Sequence, residues 1–141
     1  MSEFTQHATV AVTGTSWQEK RVVEADAVHA VAAATFTTIY AGELVGESTC
    51  ALLINYLDGD PAEPQSLVGP YVGYEQVSGT LAGRAGTFVL AASGEHSGGV
   101  ARTDVAVVAG SATGALVGLR GAGHYAADAM EYTLELDYDF T

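Results

Sequence analysis

Residues 131–140 alternate without a break: Tyr132, Leu134, Leu136, Tyr138 and Phe140 are apolar, while Glu131, Thr133, Glu135, Asp137 and Asp139 are polar. A period of two belongs to an extended strand, whose successive side chains point to opposite faces. The aromatic and leucine stripe is predicted to face inward, because the other register would bury four carboxylates without partners. A sheet with one dry face and one wet face is antiparallel, and its dry face has to be closed away from water.

The rest of the chain repeats this signal. Its 17 glycines fall mostly in short clusters between runs rich in Val, Thr, Tyr, Phe and Leu, which is the punctuation of strands. Tight connections are predicted at residues 82–86, 97–99 and 120–123, and a longer loop begins at residues 58–64. Within 87–96, Phe88, Leu90, Ala92, Gly94 and His96 share the predicted inner face. Within 71–81 the less polar set is Tyr71, Gly73, Glu75, Val77, Gly79 and Leu81, and within 48–56 Asn55 and Tyr56 fall on opposite faces, so one of them looks inward. Helical patterning is weak. The alanine-rich stretch 22–34 is the best helical candidate, yet it runs straight into Thr35-Phe36-Thr37-Thr38-Ile39-Tyr40, so its second half is predicted to be strand. About eight strands joined by short turns predict one domain over residues 1–141, an all-β antiparallel meander closed into a small barrel with an internal apolar cavity.

Charge narrows the partners. Seventeen acidic against five basic residues give a formal charge of −12, which repels phosphate backbones and anionic lipid alike. Neither nucleic acid nor membrane is expected; a small hydrophobic molecule is, and a homodimer is left open. The segment from Met1 to His7 has no basic stretch followed by an apolar run, and the one cysteine, Cys50, has no disulfide partner, so the chain reads as cytoplasmic. Cys50 itself reads as a small strand hydrophobe.

The glycine stretches lack the Lys-Ser/Thr of a phosphate loop, and His7, His29, His96 and His124 are too scattered for metal-ligand spacing, so neither cofactor nor metal is expected. Glu75 stands out: a carboxylate facing an apolar barrel loses its hydration, its pKa rises, and it becomes an acid or base near neutral pH. Gly73 beside it would leave room for a ligand. The alternative is that Glu75 pairs with Arg84 or Arg102, or that Val72 and Tyr74 are the inward set. Asn55, Tyr74 and His96 are the further catalytic candidates, and Trp17, Tyr56, Tyr71, Phe88, Leu90, Ala92, Val105 and Tyr132 the candidate substrate contacts.

Two segments carry a resemblance. Gly79 to Leu90 (Gly-Thr-Leu-Ala-Gly-Arg-Ala-Gly-Thr-Phe-Val-Leu) and Gly110 to Gly121 (Gly-Ser-Ala-Thr-Gly-Ala-Leu-Val-Gly-Leu-Arg-Gly) resemble family thirty-two twenty-four of the bacterial domains of unknown function, with weaker likeness from Trp17 to Tyr138. The resemblance implies a barrel similar to that of allene oxide cyclase, and its motifs sit in turns that say little about chemistry. Where members of the family usually carry Gln-His, Trp and Pro, this chain has Ala91-Ala92, Val105 and Ala109. Small side chains at 92 and 105 are expected to widen and dry the cavity. The function expected is a cofactor-free cyclase or isomerase acting on a hydrophobic polyketide- or lipid-like intermediate of bacterial secondary metabolism. The alternative is a carrier or sensor that binds such a molecule without reaction, and a third reading is a structural family member with no ligand.

Overall fold

A computed structural model describes residues 3–141; Met1 and Ser2, which open the segment read above for a leader, lie outside the described residues. Eight strands follow one another: β1 (Gln6–Glu24), β2 (Ala30–Gly42), β3 (Leu44–Tyr56), β4 (Gly69–Leu81), β5 (Arg84–Ser97), β6 (Val100–Val107), β7 (Leu119–Ala127) and β8 (Glu131–Phe140). Each pairs antiparallel with the next, and β8 returns to β1 from Gln6↔Tyr138 to Thr13↔Glu131, which closes the barrel and leaves that part of the sheet no edge. No helix among the described residues is long and apolar enough to cross a membrane.

The alternation in β8 sorts as its pattern dictates. Leu134, Leu136 and Tyr138 are buried and Tyr132 half-buried on the inner face. Outside, three of the four carboxylates find partners on neighbouring strands: Arg120 binds Asp139 through two nitrogens at 2.9 and 3.0 Å, and His7 bridges Asp137 and Glu135 at 2.6 Å each. Those two carboxylates, Asp137 first, raise the His7 pKa.

The alanine-rich stretch splits into the end of β1, a turn and the start of β2. The turn is held by Asp26, whose Oδ1 accepts the N–H groups of Val28 and His29 at 2.9 and 2.7 Å; with His29 first, these bonds hold its carboxyl down at about 2. Ala30, Ala32 and Ala34 are then buried at every second position. Their helical propensity gives way to a strand that needs small inward side chains.

The tight turns at Ala82-Gly83 and Gly98-Gly99 have φ of 53 and 76°, and 60 and 77°, the positive values that a two-residue hairpin requires. The connection expected at residues 120–123 is not one, since they lie inside β7. Glycine is there for another reason: a Cβ on Gly123 would sit 2.2 Å from the Glu135 carbonyl oxygen. Gly73 works likewise, for its Cβ would meet the Ala51 oxygen at 2.0 Å. A small barrel must bend its strands sharply, and missing side chains let neighbouring backbones close in.

The two ends differ. At the end where β1 begins and β8 ends, Leu116 from the helical turn Gly114–Leu116 seals the core with Leu44 and Leu81, all fully buried. At the other end β1 outruns β8, since their pairing stops at Thr13 while β1 continues beside β2 through two register shifts. This lip puts Trp17 opposite Phe36, their rings stacked at 5.0 Å.

Candidate functional site

Glu75 lies mid-strand in β4, opposite Cys50 of β3 and Leu90 of β5. It faces inward and is 4% exposed. Two hydroxyls from adjacent strands reach its Oε2: Tyr40 of β2, in a short hydrogen bond, and Ser48 of β3 at 2.6 Å. Because Ser48 spends its one proton on Glu75, the Thr38 hydroxyl, 2.6 Å away, donates to Ser48. Oε1 accepts no hydrogen bond from the described residues.

No cation among the described residues answers this carboxyl. Arg84 lies over the Phe140 ring, 3.9 Å from its centroid, and Arg102 is exposed on the outside of β6. Burial without a counter-charge pushes Glu75 up to about 7. Burial also pushes the Cys50 thiol up to about 12, which leaves it a protonated core group and not a nucleophile.

Around Glu75 stand Val12, Tyr40, Leu90, Val105, Tyr125, Tyr132 and Leu134. The space between them is about 200 Å³, divided into interstices of which none admits a water-sized sphere. Of the two small residues expected to widen a cavity, Val105 lines this space and Ala92 does not. The rings of Tyr125 and Tyr132, stacked at 4.7 Å, line it beside Val105. Among the described residues that line the space, these two rings are half-buried and the rest are buried. Desolvation raises both phenol pKa values, and both hydroxyls stay protonated at neutral pH.

Of the catalytic candidates read from the sequence, Glu75 alone reaches this space. Asn55 is exposed on the outer face of β3, because Tyr56 takes the inward position. Tyr74 is 62% exposed on the outer face of β4, which its phase opposite Glu75 requires. His96 is half-buried at the open end, donating from Nδ1 to the Leu67 carbonyl at 2.6 Å; it pairs with Gly69, six residues up β4 from Glu75, or about 20 Å away along the strand.

The substrate-contact candidates divide. Leu90, Val105 and Tyr132 line the space beside Glu75. Phe88 and Ala92 are buried on the same inner face of β5 but stand apart from it. Tyr71 is buried with its hydroxyl on Thr103, Tyr56 donates to Glu19 of the lip at 2.6 Å, and Trp17, 51% exposed, covers Phe36 at the mouth. Sequence reasoning passed over Tyr40, Ser48, Thr38 and Tyr125. The alternation of β2 and β3 holds the signal for the first three, which share the inward phase with Phe36 and Cys50.

No curated protein matches this chain. Its fold is similar to that of a crystal structure, at 1.84 Å resolution, of a protein of unknown function from the DUF3224 family of Shewanella oneidensis MR-1; the TM-score is 0.70 at 23% identity, over 96% of this chain and 98% of that one. The family model described as "Protein of unknown function (DUF3224)" matches residues 8–139, so with nearly its whole length inside that match the chain belongs to the DUF3224 family.

Proposed function

We propose that this barrel is a cofactor-free isomerase or cyclase for a small hydrophobic molecule of polyketide or lipid type, with Glu75 as the group that gives and takes the proton. The observation that carries the reading is a buried carboxyl with no cation beside it, two hydroxyls on one oxygen and the other oxygen free. At neutral pH such a group is divided between acid and base, the condition under which one residue serves in both roles. Oε1 delivers its proton to an oxygen or alkene carbon of the substrate. Tyr40 and Ser48 stabilise the carboxylate left behind, which then removes a proton from a neighbouring carbon. The proton count returns to its start, and the product has the mass of the substrate. Admission requires Tyr125 and Tyr132 to swing aside, and their closure holds the substrate in one conformer in a dry site. A cytoplasmic place of work is part of the proposal, supported by the unpaired, buried thiol of Cys50.

The test is incubation of the protein with lipid and polyketide extracts, read by chromatography coupled to mass spectrometry. The expected result is a compound whose retention shifts at constant mass. Glu75→Gln should slow that conversion by roughly a hundredfold or more while keeping most of the affinity. A retained compound that wild-type protein never converts would favour the carrier reading, and full activity in Glu75→Gln would remove Glu75 from the chemistry.

A further inference from the structure

The outside of the barrel is divided in charge. On β8 the outward positions include Glu131, Glu135, Asp137 and Asp139, whereas along all of β2, β3, β4 and β5 the outward positions carry only Glu47 and Glu95, each toward a different end. Between those two lies an uncharged face. Leu53, Val72 and Tyr74 are 52, 57 and 62% exposed there, beside a groove of about 510 Å³ whose floor includes Ala33, Ala51, Gly73 and Ala91.

We propose that this face joins two copies of the chain in a twofold dimer. Three arguments select a second copy. First, the face bears both a projecting ring, Tyr74, and a hollow floored by alanine and glycine next to it, and an isologous contact needs knob and hollow on one surface. Second, Leu53, Val72 and Tyr74 lie together on the adjoining strands β3 and β4, between the two carboxylates, so the contact is centred on apolar side chains. Third, a chain of net charge −12 meets its own copy with least repulsion through its neutral side. This arrangement holds the two acidic β8 stripes on the far sides of the pair, with a barrel's width of each copy between them. A basic partner would be drawn to β8 instead.

The full-length chain should sediment at twice its 14.5 kDa at micromolar concentration. Tyr74→Glu and, independently, Leu53→Glu should each raise the dimer dissociation constant by about a hundredfold or more, with far-UV circular dichroism reporting the same strand content. Glu131→Gln, on the opposite stripe, should leave the dimer unchanged. A wild-type mass of 14.5 kDa throughout would overturn the proposal and leave the face to a different partner. So would a dimer that survives either folded glutamate variant.

Discussion

At Glu75 two effects oppose each other. The hydroxyls of Tyr40 and Ser48 favour the carboxylate, and burial among apolar side chains disfavours it; burial wins, and the pKa rises from 4.5 to about 7. Between those values the folded chain holds a proton that the unfolded chain releases. The group's contribution to stability is thus complete below pH 4.5 and is lost as pH rises through about 7. Glu75→Gln has no such dependence. Its stability relative to wild type should therefore climb by about 3 kcal/mol across that window and level off above it, which urea melts at successive pH values will read. The inward phase of Glu75 was legible because β4 alternates Tyr71, Glu75 and Val77 against Val72, Tyr74 and Gln76. Its partners were not: that Tyr40 and Ser48 converge on it depends on the register of β2 with β3 and of β3 with β4, a property of pairing and not of any one strand. Gly73 was read as room for a ligand, and the structure gives that room to the Ala51 carbonyl.

Single strands show how one residue type serves opposite ends. Glycine marks turns at Gly83, Gly98 and Gly99, but on β4 and β7 it marks close backbone approach, and no local pattern separates the two uses. Gly73→Ala tests the second use: with a Cβ forced against the Ala51 carbonyl, β3 and β4 must part, and thermal unfolding should show a loss of about 3 kcal/mol. Alanine in β2 misleads in the same way, for a run that favours helix in isolation becomes the tightly packed inner face of a strand. On β6, Val105 is 3% exposed and borders the Glu75 space. Val105→Trp should cost roughly 1–3 kcal/mol by overpacking and abolish any conversion that depends on Glu75. Conversion that persists in the folded variant would place the chemistry elsewhere.

Across the whole molecule the meander closes because β8 finds β1, and the seam is fastened outside by His7 between Glu135 and Asp137. A histidine whose pKa is raised by such partners adds stability that is present below its ordinary 6.5 and lost as pH rises past its folded value. The melting temperatures of wild type and His7→Gln should differ most in mild acid and converge in alkali. Barrel closure was legible from the chain's short turns and period-two strands. The lining around Glu75 was not, because bringing Tyr125 and Tyr132 beside Val105 depends on strand pairing that only the closed barrel decides. The proposed function rests on one buried carboxyl that no cation among the described residues pairs with, and whose pKa burial raises to about 7. The most direct measurement is the titration of the Glu75 side-chain carboxyl carbon by NMR, assigned by comparison with Glu75→Gln. A midpoint near 7 is the predicted result, and a midpoint at the ordinary 4.5 would contradict it.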